Sequence, residues 1–252
     1  MSENTETVPW RQTLILYSTL AGLCKFIPIP FVDDIIQGFV VRRMLQQILA
    51  LHGIEADSTD LERLTRERSG CSLGCLYTLF LYPIKKILKK ILFFLAFKDF
   101  ADESSKWFHR GYLVQFGAQT GHITQRTLSD EHLLWPVTLA IEETCAATDT
   151  KRFTHLLRRV FSGSRASLRM AARRLWRAVG AERKQSDKAA AEAAVGLALQ
   201  KVETENAELD STLEAFSAEV WKESEHLLAL EETFIEKIAE TTKRYQRGQL
   251  EE

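Results

Sequence analysis

Apolar residues recur at intervals of three and four along almost the whole chain, and no run alternates apolar with polar residues for long enough to make a strand. That period restricts the fold class to all-α, a multi-helix bundle with hydrophobic helical hairpins and a long C-terminal heptad helix. Five prolines punctuate it: Pro9 near a helix start, Pro28 and Pro30 in a break, Pro83, and Pro136 in the first turn of a later helix. Helices are predicted from Trp10 to Phe26 and from Phe31 to His52, the second stopping at Gly53. Ile27-Pro28-Ile29-Pro30 forces extended backbone between them, so they form a hairpin with an apolar turn. Asp33 and Asp34 are adjacent, too divergent on a helix to share a proton, and suit the positive end of the second helix.

Further helices are expected over Asp57 to Ser69 with Ser58 or Thr59 as cap, Asp99 to Gln119, Leu128 to Ala147 with Ser129 or Asp130 as cap, Lys151 to Phe161, and Arg165 to Gly180. A long helix then runs to about Tyr245. Two units follow from composition: a helical membrane-associated domain, 1–184, and an acidic segment, 185–252, able to pack back on it. From Lys151 to Lys184 eleven bases meet one acid, while from Gln185 onward seven bases meet sixteen acids. The net charge of -1 is therefore the sum of a basic and an acidic block, and local fields rather than totals choose partners.

Cys71 to Phe97 carries no acid, and its only charges are Lys85, Lys86, Lys89 and Lys90. At about 100° per residue these lysines fall within an arc of about 140°, interrupted only by Phe93. Leu88, Ile91, Leu92 and Leu95 lie on the opposite, wider apolar face. A lysine face against a Leu/Ile/Phe face suits a helix lying in a membrane interface, with ammonium groups at anionic headgroups and the apolar side in the acyl boundary. A span does not fit. The uncharged run from Cys71 to Ile84 is shorter than the roughly 18–20 residues needed, and each lysine near mid-bilayer costs about 2.5–3.5 kcal/mol. An in-plane or re-entrant hairpin bent at Pro83 competes with a central core hairpin that keeps one wet lysine face.

The next segment repeats the design with arginine. Arg165, Arg169, Arg173 and Arg177 share a side with Trp176, opposite Leu168, Ala171, Ala172, Leu175, Ala178 and Val179. That face suits anionic headgroups, with the indole at the interface. Nucleic-acid phosphate ranks below lipid because no recognition motif accompanies the charge. A solvated face, or pairing with the acidic segment, is the plainer alternative.

Leu199, Asn206, Leu213, Val220, Leu227 and Phe234 recur every seven residues as heptad a positions, interleaved with Val195, Val202, Leu209, Phe216, Glu223 and Leu230 at d. Asn206 at an a position is a device for fixing register. A parallel self-dimer would nevertheless oppose Glu205 to Asp210 of its mate, which is repulsive. Antiparallel packing on the preceding helices, or recruitment of a protein partner, fits better.

Catalytic signals are sparse. Glu223 and His226 have a Glu-x-x-His spacing, but di-iron bundles need a second such motif and further glutamates. His52, His109, His122, His132 and His155 stand in no nucleophile or metal pattern, and no glycine-rich phosphate loop occurs. Four cysteines are too few for a disulfide framework, and Cys71 with Cys75 supplies only half of a zinc site. No catalytic residue, metal or cofactor is expected. The amino terminus has Glu3 and Glu6 where an export signal needs positive charge, so the expected location is the cytoplasm.

The segment Ile27-Pro28-Ile29-Pro30-Phe31-Val32-Asp33-Asp34, followed by a helix ending Leu51-His52-Gly53, resembles one in bacterial helical proteins of unknown function, including the YcjF-like membrane-associated domain found beside GTPase modules. The likeness covers about 25 residues, roughly a tenth of the chain, and this chain departs from that family in its acidic heptad helix and in lacking a GTPase. The resemblance implies membrane association in a bacterium. The expected function is that of a non-enzymatic protein bound peripherally or monotopically at the cytoplasmic face of an anionic membrane. The alternative is a soluble helical scaffold that recruits its partner through the heptad helix.

Overall fold

The computed structural model of the chain describes residues 9–26, 32–65, 89–164, 168, 170, 173 and 207–248. Among these residues there is no strand. The helices are α1 (Pro9–Leu23, extended by a 3-10 turn over Cys24–Phe26), α2 (Val32–Ala50), α3 (Ser58–Thr65), α4 (Lys89–Gln119), α5 (Gln125–Ser129), α6 (Glu131–Ala147), α7 (Lys151–Phe161), α8 (Ala207–Val220) and α9 (Ser224–Gln246). The fold is all-α.

α4 is the central element and packs against α1, α2, α6, α7 and α9. Its 31 residues make a rod of about 46 Å. The separate apolar stretch and aromatic helix expected on either side of Phe97 and Asp99 are therefore one helix over residues 89–119. Lys98 and Asp99 do not end it, because both lie on the solvent side while Phe97 and Phe100 face inward. The close approach of α1 to α4 depends on Gly22. A Cβ there would stand 2.0 Å from Ser104 Oγ and 2.6 Å from the Phe100 carbonyl oxygen. At Gly111 on α4 a Cβ would stand 2.5 Å from Leu14 Cδ1 and 2.9 Å from Met44 Cε, so glycine also admits the α1–α2 pair. Between α1 and α2 the Gln47 amide donates to Tyr17 Oη at 2.9 Å.

Local chemistry sets several boundaries. Gly53, at φ +70°, closes the turn after α2. Asp57, rather than Ser58 or Thr59, caps α3: its Oδ1 accepts from the amides of Thr59 and Asp60, each at 2.8 Å. The helix expected from Leu128 to Ala147 divides at Asp130, whose side chain accepts the His132 amide at 3.0 Å and starts α6 afresh. Pro136 lies in the second turn of α6 rather than the first, and its carbonyl accepts from Thr241 Oγ1 at 2.9 Å.

The long terminal helix is also a pair. α8 ends at Val220, and the turn Trp221–Glu223 separates it from α9. The break coincides with Glu223, the one charged d position among the described heptad residues, where a carboxylate could not follow Val220 into the core. Trp221 turns inward instead, with its ring 5.3 Å from Trp10 and 5.9 Å from Phe108. α8 then packs on α7 and α1, and α9 on α6 and α4. Leu213, Val220, Leu227 and Phe234, with Phe216 and Leu230, are buried in the same core as residues of α1, α2, α4, α6 and α7. Within the described residues the heptad seam is satisfied in cis. Leu199 and Asn206 lie outside the described residues.

Candidate functional site

Phe100 of α4 is fully buried and gathers two rings from distant parts of the chain, Phe26 and Phe161, beside Phe97 of its own helix. Phe26, the last residue before the apolar Ile-Pro-Ile-Pro sequence, lies 5.8 Å away. Phe97, on the approach from the lysine-bearing stretch, also lies 5.8 Å away. Phe161, which ends α7 just before the arginine segment, lies 5.4 Å away and meets Phe216 of α8 at 5.6 Å. Burial of about 150–250 Å² per aromatic ring makes this cluster a strong tether. The residues flanking the apolar Ile27–Phe31 sequence, the lysine-bearing stretch and the arginine segment thus meet at one end of the bundle.

Polar groups brace the same end. Lys25 Nζ is 3.5 Å from Asp34 Oδ1, closing the α1–α2 hairpin at its base. Arg158 of α7 is 3.2 Å from Asp102 of α4. Partial desolvation of this surface carboxyl, followed by the neighbouring Asp102 carboxylate, pushes Asp99 above its ordinary range.

Lys89, Lys90, Ile91, Leu92 and Leu95 lie on the first two turns of α4. Lys85, Lys86 and Leu88 lie outside the described residues, as do Arg165, Arg169, Arg177 and Trp176. Leu168 is fully buried, while Met170 is 45% exposed and Arg173 is exposed. Among the described residues no helix is long and apolar enough to cross a membrane.

A second cluster, absent from the sequence reading, occupies the junction of α4, α7 and α9. His109 is buried on α4, and its Nε2 lies 2.8 Å from Nε2 of His226 in the first turn of α9. His109 Nδ1 lies 2.6 Å from the Ser105 carbonyl, which only accepts. The Phe153 ring packs on both imidazoles, at 4.8 Å and 6.5 Å. Burial pushes the His109 pKa down to about 4 against the opposing Ser105 hydrogen bond, and burial also lowers that of His226. Tyr112, one turn along α4, donates to Glu231 of α9, and its hydroxyl pKa is raised by burial and then by that carboxylate. Arg11 lies 4.6 Å over the Trp221 ring, beside Trp10 and Tyr112.

These groups are tightly packed structural chemistry. Among the described residues no three His, Cys, Asp or Glu side chains converge as metal ligands. Glu223 sits in the turn before α9, so the Glu-x-x-His spacing does not put it and His226 on one helix face. Cys24 is a buried thiol whose Sγ–H donates to the Leu20 carbonyl at 3.4 Å. Cys71 and Cys75 lie outside the described residues. The 117-residue separation of His109 and His226 explains why no local spacing revealed their pairing. No family model, curated protein or solved structure matches the chain.

Proposed function

We propose that this chain is a non-enzymatic membrane-surface protein that presents the Phe100 end of its bundle to anionic lipid. The convergence of Phe26, Phe97 and Phe161 on Phe100 carries the proposal. It brings together the described residues that flank the apolar Ile27–Phe31 sequence, the lysine-bearing stretch and the arginine segment. Two cationic segments and an apolar turn delivered from one end give the combined signals that stable peripheral attachment needs: apolar insertion plus attraction to anionic headgroups. The opposite end of α4, near Gln119, lies about 33 Å from Phe97. The cytoplasmic leaflet of a bacterial membrane, rich in anionic lipid, is the proposed location.

Burial of Leu213, Val220, Leu227 and Phe234 inside the chain's own core weighs against the scaffold alternative, because that seam is not offered to a partner in this state. The proposal is tested by sedimenting the full chain with vesicles. Binding is expected to vesicles of phosphatidylserine in phosphatidylcholine, to rise with the phosphatidylserine fraction and to weaken as salt rises from 50 to 500 mM, since headgroup attraction is screened. Equal binding to pure phosphatidylcholine, or none to either, would rule it out.

A further inference from the structure

We propose that the His109–His226 pair is a proton-operated latch, closed in the neutral state, whose double protonation releases the α8–α9 junction from α4 and uncovers the heptad seam. The argument begins with the tautomers. The Ser105 carbonyl can only accept, so His109 carries its proton on Nδ1 and donates to it over 2.6 Å. Nε2 of neutral His109 is then an acceptor, and His226 supplies the Nε2–H across 2.8 Å. A proton added to His226 goes to Nδ1 and leaves that bond intact. A second proton, on His109, has only Nε2 to occupy and sets two N–H groups against each other in a buried site.

The neighbours allow this behaviour without preventing it. His226 faces Glu223 in the preceding turn and Asp149 before α7, which favour its charged form, and Arg152 on α7, which opposes it. His109 faces the Ser105 carbonyl on its own helix, the Phe153 and Phe108 rings, and His226. No carboxylate among them compensates a charge on His109. The position of His226 also matters: it lies directly after the Trp221–Glu223 break, where α9 turns against α4. Releasing it frees the point at which Val220, Leu227 and Leu230 enter the core.

The sign follows from linkage. Both imidazoles bind protons less readily when the latch is closed than when it is open, so acid favours the open form. The closed form is fully favoured above the ordinary histidine pKa of 6.5 and loses ground as pH falls towards about 4. Uptake of two protons permits up to about a hundredfold loss of protection per pH unit, and uptake of one permits about tenfold.

The test is hydrogen exchange of the full chain between pH 7.5 and 4, expressed as protection factors for residues 213–234. Native protein is expected to lose protection there by more than tenfold per pH unit, ahead of α1 and α2. His226→Gln keeps an amide donor for His109 and can turn its oxygen to accept from the protonated ring. Its loss is expected to be tenfold per unit or less. His132→Gln, which alters the α6–α9 histidine contact to Tyr245, is expected to behave as native. An unchanged steep dependence in His226→Gln, or its disappearance in His132→Gln, would overturn the latch. Should His226→Gln fail to fold, ring-proton NMR of the native chain decides. His109 and His226 titrating below the ordinary histidine range, together with the loss of protection, support the latch, and the two titrating independently of each other and of that loss overturn it.

Discussion

Full-length protein in which Lys85, Lys86, Lys89 and Lys90 are all replaced by glutamate is expected to lose sedimentation with phosphatidylserine vesicles altogether. Each lysine close to an anionic surface contributes about 1 kcal/mol, so removing four positive charges costs roughly a thousandfold in partitioning. Reversing their sign adds repulsion. The same substitutions should leave helix content and thermal stability close to native, because a lysine face turned to headgroups takes no part in the core. Circular dichroism alongside sedimentation separates the outcomes. Retained binding contradicts the headgroup role of the lysines, whereas lost binding with a lost fold identifies the stretch as core.

Phe100→Ala has the largest expected effect on stability. The ring is fully buried between Phe26, Phe97 and Phe161, so truncation removes its transfer free energy and leaves a cavity that rigid helices cannot close. A cost of about 3–5 kcal/mol follows, which lowers Tm by roughly 10 °C in a domain of this size. Ile35→Ala, at a side chain 53% exposed, should change stability by no more than about 0.5 kcal/mol. Thermal melts followed by circular dichroism compare the two directly. Similar melts would mean that Phe100 does not hold this end together.

Much of this fold was legible because helical period is a local property. α7 runs from Lys151 to Phe161, as its pattern and flanks predict, and Gly53 follows α2 in the left-handed conformation expected after a helix. Boundaries failed where a tertiary contact outweighed a local signal. Lys98 and Asp99 look like punctuation in one dimension, yet on a helix they occupy the wet side and leave Phe97 and Phe100 facing inward. The heptad looked continuous because spacing alone does not reveal whether a seam meets another chain or its own. Glu223 at d was the visible clue to a break, and the inward turn of Trp221 is what that clue left undetermined.

The sites divide along the same line. Charge and apolar content singled out the lysine and arginine segments, since a surface-seeking helix carries its amphipathicity in its own residues. The meeting of Phe26 and Phe161 on Phe100 was not readable, because it joins residues 26 and 161 to α4 through a single ring. His109 and His226 were likewise unremarkable singly; their pairing depends on α9 folding back along α4.

Hydrogen exchange of the native chain, with and without phosphatidylserine vesicles at neutral pH, tests the orientation at the membrane most directly. Docking through the Phe100 end is expected to slow exchange in residues 27–31, 71–97 and 162–180, while residues 118–125 at the far end of α4 exchange as in solution. Slowing at 118–125 with no change at the other three segments would contradict it.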